Sequence, residues 1–120
     1  MKRLMIADGS DIVRKVGKKI LSELGYQVTE ASCGREALTR CERELPDVMI
    51  VDAGMDDALD LISNVRAFPE GKAVKIYYCV VEAELKIMMA GKRAGANDFL
   101  LKPFDREILT KTFGDKAIAA

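Results

Sequence analysis

Three charged residues each close an apolar run. Asp8 follows Leu4-Met5-Ile6-Ala7, Asp52 follows Val48-Met49-Ile50-Val51, and Lys102 follows Phe99-Leu100-Leu101 and precedes Pro103. If these runs are parallel strands of one open sheet, their carboxyl ends share an edge, and ligands of such sheets bind at that edge. Two carboxylates and an ammonium would then converge. Like carboxylates destabilise one another, so such a pocket favours cations. Mg2+ is usually held by one or two carboxylates plus waters. Gly9-Ser10, flanked by Asp8 and Asp11, is too acidic to hold a phosphate without a metal. The sequence contains no histidine, which removes Ser-His and Cys-His nucleophile pairs and any His-bearing metal site.

The elements that must position these groups alternate. Short apolar segments near 3–7, 26–31, 47–52, 74–80 and 97–101 read as strands, with helical segments between them and no linker or repeat. That alternation implies βαβ units and a parallel sheet. The first helix carries Ile12, Val13, Val16, Ile20 and Leu24 at helical spacing, an apolar stripe expected to face the sheet, and Gly25 marks its end. The second, about 34–44, is rich in charge (Arg35, Glu36, Arg40, Glu42, Arg43, Glu44) and stops before Pro46; this reads as a solvated face. The third is expected to bury Leu59, Ile62 and Val65 before Pro69, the fourth runs from about 83 to Gly95, and the last covers 105–117. Val48–Val51 and Ile76–Val81 are apolar without alternation, as expected of central strands covered on both faces.

A length of 120 residues fits one domain. Lysine plus arginine equals aspartate plus glutamate at 19 each, so no global field draws the chain to nucleic acid or an anionic membrane. The apolar stretch behind Met1-Lys2-Arg3 ends at Asp8, too short for a signal-peptide core or a membrane span. A cytoplasmic location is expected. Cys33, Cys41 and Cys79 are odd in number and lack CxxC spacing, so they read as reduced, mostly buried thiols.

Over almost its whole length the sequence resembles the response-regulator receiver family. Asp8, Asp52, Lys102-Pro103-Phe104 and Ala94-Gly95-Ala96 all stand at the family's spacing. The resemblance implies an α/β, flavodoxin-like, doubly wound five-stranded parallel sheet in order 2-1-3-4-5, with five helices, two on one face and three on the other. It implies a stand-alone receiver without an output domain, a signalling module rather than an enzyme. Asp52 would accept a phosphoryl group from a sensor histidine kinase or phosphotransfer protein. Asp8, Asp52 and the carbonyl of Gly54 would hold Mg2+, and Lys102, followed by a cis peptide bond, would place its ammonium on the phosphoryl oxygens.

The match is incomplete in three places. Gly9 stands where the family has the acid that contacts the ion most directly, so Mg2+ is expected to bind weakly or not at all. Val80 stands at the family's Ser/Thr position, with Glu82 two residues on, and Phe99 at its switch aromatic. The loop Ala53-Gly54-Met55-Asp56-Asp57-Ala58 is about two residues short and lacks the Met-Pro-x-x-Asp-Gly pattern. These departures leave a second reading open: a phosphorylation-independent pseudo-receiver that acts as a protein-interaction module. An aspartate-nucleophile phosphohydrolase would need an acid where Ser10 stands, and a flavodoxin would need a hydroxyl- and glycine-rich phosphate loop. On the fourth helix Ile87, Ala90, Gly91 and Ala94 share one arc, expected to face the sheet. Leu85, Met88 and Met89 are then turned outward and, with Phe99, form an apolar patch for a partner protein or a second copy.

Overall fold

The computed structural model describes residues 2–114. The chain alternates β1 (Arg3–Ala7), α1 (Asp11–Glu23), β2 (Gln27–Ala31), α2 (Gly34–Arg43), β3 (Val48–Asp52), α3 (Ala58–Ala67), a 3-10 turn (Gly71–Ala73), β4 (Lys75–Val80), α4 (Leu85–Ala94), β5 (Asp98–Leu101) and α5 (Arg106–Phe113). All strand pairs are parallel, in the order β2-β1-β3-β4-β5, as expected. The part of the last helix expected beyond residue 114 lies outside the described residues.

Local chemistry sets the boundaries. Ser10 accepts the Val13 N–H at 3.2 Å and caps α1, and Gly25 ends that helix at φ 104°, a conformation that would strain a side chain. Asp105 caps α5 through the Ile108 N–H at 2.9 Å. At α2 the thiol of Cys33 faces the Glu36 N–H while the Glu36 carboxylate reaches back to the Ser32 N–H at 2.6 Å, a reciprocal cap.

The sheet separates two apolar layers. On one face Ile20 and Leu21 of α1 meet Leu109 and Phe113 of α5 over Leu4, Ile6, Ile50 and Tyr77. On the other, α2 and α3 bring Ala37, Cys41, Leu61, Ile62 and Val65 onto Met5, Met49, Ile76 and Tyr78. On that face α4 lies beside α3 and meets the sheet through Gly91, where a Cβ would come within 2.3 Å of the Tyr78 ring.

Four apolar residues are not where their spacing placed them. Ile12 is 76% exposed and Val16 45%; α1 buries Ile20 of the expected stripe together with Arg14, Gly17 and Leu21, which were not in it. The contact is made at Gly17, whose missing Cβ would lie 2.9 Å from the Ile6 side chain. A glycine carries no hydrophobic signal, so the stripe was displaced by part of a turn. Leu59 is exposed while Ala58 and Leu61 are buried, and Ile87 is exposed while Gly91 alone of α4 is buried. In each case a small residue takes the close contact and turns a larger neighbour outward. Of the cysteines, Cys41 and Cys79 are buried and Cys33 is exposed, all unpaired.

Candidate functional site

The parallel register brings the ends of β1, β3 and β5 to one edge, and the three charged residues meet there. Lys102 Nζ lies 2.5 Å from Asp8 Oδ2 and 3.2 Å from Asp52 Oδ1. Asp8 is 3% exposed; its other oxygen accepts the Ser10 N–H at 2.8 Å. Asp52 Oδ1 also accepts the Gly54 N–H at 3.0 Å, and its second oxygen has no hydrogen-bond partner among the described residues. One ammonium is therefore shared by two carboxylates, and one carboxylate oxygen of Asp52 stays open to the cleft.

Burial alone would lower the Lys102 pKa, but the hydrogen bond to Asp8 and the charge of Asp52 outweigh it, and the net direction is upward from 10.5. Stability from these pairs is thus fully present below the unfolded lysine value of about 10.4 and is lost as pH rises through the higher folded one. Burial pushes the Cys79 thiol, paired with Asp52 in the β3–β4 register, up to about 12, with Lys102 pulling it the other way. Replacing Lys102 by Met should cost about 1–3 kcal/mol by leaving two carboxylates without their donor. Mg2+ should then raise the melting temperature more in the variant than in the parent, because the ion substitutes for the lost ammonium. Equal Mg2+ shifts in thermal denaturation would contradict this account.

The donor set suits Mg2+ in part. Asp52 and Gly54, whose carbonyl accepts no hydrogen bond among the described residues, line one cleft, and Asp8 is linked to Asp52 through Lys102. Among those residues no group of three or more His, Cys, Asp or Glu side chains is disposed to hold a metal. Gly9 leaves a gap: the nearest atom to a Cβ built there is Ser32 O at 3.9 Å.

Asp57 turns its carboxylate to the N-terminus of α2, accepting the Gly34 N–H at 3.1 Å. A cleft of about 420 Å³ results, lined by Gly9, Ser32, Cys33, Asp52, Gly54 and Asp56 among others. Lys102-Pro103 is a cis peptide, as the resemblance implied.

Arg14 is a residue that apolar periodicity could not reveal. It is 8% exposed, and its Nη1 donates to the Asp8 carbonyl at 2.7 Å while Nε donates to Glu30 at 3.2 Å. The guanidinium ties the end of β1 to β2 and fixes the backbone that presents Asp8. Hydrogen bonding to Lys15 holds the Glu30 carboxyl below its usual value against the opposing effect of burial. The only signal in the sequence was a charged residue interrupting an apolar stripe.

The fold and this edge define a class: doubly wound α/β proteins with an acid pair and a lysine at the strand ends. The response regulator receiver domain model matches residues 4–113, and the chain belongs to that family, whose members are signalling modules. It is 31% identical over 106 residues to the chemotaxis protein CheY of Thermotoga maritima, covering 86% of this chain and 87% of that protein. It is 32% identical over 111 residues to CheY1 of Helicobacter pylori J99, covering 89% and 90%. The structure superposes on CheY4 of Vibrio cholerae with a TM-score of 0.89 at 31% identity, covering 96% of this chain and 98% of that one. The receiver domain of the sensor histidine kinase PA1611 from Pseudomonas aeruginosa, described with magnesium coordinated in its active-site cleft, gives 0.85 at 26% identity, covering 99% and 98%. No helix among the described residues is long and apolar enough to cross a membrane.

Proposed function

We propose that this receiver accepts a phosphoryl group at Asp52 from a phosphohistidine on a sensor kinase or phosphotransfer protein, and that it binds Mg2+ weakly. The observation that carries the reading is the single ammonium of Lys102 shared by Asp8 and Asp52. A chain freed from phosphotransfer gains nothing from two carboxylates held side by side. The open oxygen of Asp52 attacks phosphorus, the P–N bond of the donor breaks, and the departing imidazole recovers a proton from solvent. Asp52 thereby becomes an acyl phosphate. The Lys102 ammonium moves from carboxylate pairing to the incoming phosphoryl oxygens, where charge is concentrated. Asp8, Asp52 and the Gly54 carbonyl would hold Mg2+, whose charge screens the phosphoryl group. An apolar groove of about 390 Å³ between Ile12, Val16, Val81 and Phe104 opens onto Lys102 and offers a donor protein apolar surface to bury.

Incubation with a small-molecule phosphodonor and Mg2+ should add a phosphate-sized mass that is lost in Asp52→Asn. No mass increase at saturating donor would overturn the reading in favour of the pseudo-receiver, which Gly9 and Val80 support.

The α4–β5 face is proposed to dock a partner protein or a second copy. Leu85 and Met89 are 74% and 42% exposed, while Met88 and Phe99 are half-buried and add less surface. A Leu85→Glu, Met89→Glu double variant should lose association, measured by light scattering or pull-down with the cognate kinase, and keep its melting temperature. Undiminished association would remove this face.

A further inference from the structure

The charged face of α2 is largely exposed, as expected, and it also borders a concavity. Between α2 and the β1–β2 side of the sheet lies a cavity of about 570 Å³, lined by Arg3, Arg35, Arg40 and Arg43 among others. Its two acids are already engaged: Glu36 accepts the Ser32 N–H at 2.6 Å, and Glu44 Oε1 lies 3.4 Å from Arg3 Nε. Arg35, Arg40 and Arg43 have no ion-pair partner among the described residues. A chain with equal numbers of acidic and basic groups thus gathers four arginines against two glutamates in one concavity, an excess of two positive charges. Basic residues in the last turn of a helix favour its dipole, which would account for Arg40 and Arg43. It does not account for Arg3 and Arg35, which reach the same space from β1 and from the opposite end of α2.

We propose that this cavity binds a nucleoside polyphosphate. Guanidinium forks match phosphate oxygens in pairs and also stack on flat rings. The floor is apolar, formed by Met5 and Pro46, both buried, and suits a base rather than a bare phosphate chain. The volume falls within the range of small-molecule sites, about 300–1,000 Å³. Cys33 lines both this cavity and the cleft over Asp52, so a bound nucleotide would rest against a wall of the acidic pocket.

The test is calorimetric titration of the full chain with ATP, tripolyphosphate and adenosine, without Mg2+ and at moderate salt. ATP should bind with a Kd on the order of 100 µM or tighter, tripolyphosphate more weakly, and adenosine not measurably. An Arg40→Gln, Arg43→Gln double variant should weaken ATP at least about tenfold, whereas Arg93→Gln, an equal charge loss per site on exposed α4, should leave it unchanged. All three residues are exposed, so the fold should persist, as unchanged circular dichroism would verify. Absence of ATP binding at millimolar concentration would overturn the proposal. So would equal affinity for tripolyphosphate, or an unchanged Kd in the double variant.

Discussion

Replacing Gly9 by aspartate should tighten Mg2+ binding about 30-fold. Two unit charges 4 Å apart interact by about 1 kcal/mol in water, so a carboxylate against a divalent ion gains about 2 kcal/mol. That corresponds to a factor of about 30 in affinity. The dielectric of water is the right one because Gly9 is exposed, unlike Asp8 beside it. The backbone accepts the change: Gly9 has no positive φ, and a Cβ there meets nothing closer than 3.9 Å. A third carboxylate would also add to the negative charge opposing Lys102, which competes with the ion for Asp8 and Asp52. At Mg2+ concentrations below saturation, labelling of Asp52 by a small phosphodonor should accelerate by a similar factor. Calorimetric titration of parent and variant decides the matter. Equal metal affinity would mean that residue 9 does not face the ion, and the weak-binding account of this pocket would fail with it.

How much of this was legible without coordinates depended on which residues interrupt an otherwise apolar pattern. Asp8, Asp52 and Lys102 could be grouped because each ends a short apolar run that reads as a strand, and parallel strands place their ends together. The strand order came from the resemblance and was met in the structure. Periodicity failed where small residues make the contacts. Gly17 and Gly91 carry no hydropathy signal, yet they set which way α1 and α4 are turned, leaving Ile12, Val16 and Ile87 exposed. Arg14 and the arginines around α2 were equally hidden. What a charged side chain does is set by partners distant in sequence, as with Arg14 and Glu30 or Arg3 and Glu44. A solvated face and a cavity wall have the same composition.

Replacing Val80 by threonine should restore communication between Asp52 and the α4–β5 face. Val80 closes β4, is 2% exposed, and belongs to the apolar layer against which Phe99 packs. Its carbonyl accepts the Lys102 N–H at 2.8 Å, so the residue is fixed beside the site. Its side chain offers a phosphoryl oxygen nothing to hold. A stable phosphoryl analogue added to the parent should therefore shift backbone amides near Asp52 and Lys102 and leave those around Phe99 unmoved. In Val80→Thr the buried hydroxyl lacks a partner until the analogue arrives, which costs about 1–3 kcal/mol in the free protein. That cost is recovered when the hydroxyl turns to the analogue, and only a bound state that moves the end of β4 recovers it. The variant should thus melt lower than the parent when free, gain more on adding the analogue, and show amide shifts extending to Phe99 and Leu85. Amide shifts around Phe99 already present in the parent would show that the hydroxyl is dispensable here, and the position would lose its claim to control the switch.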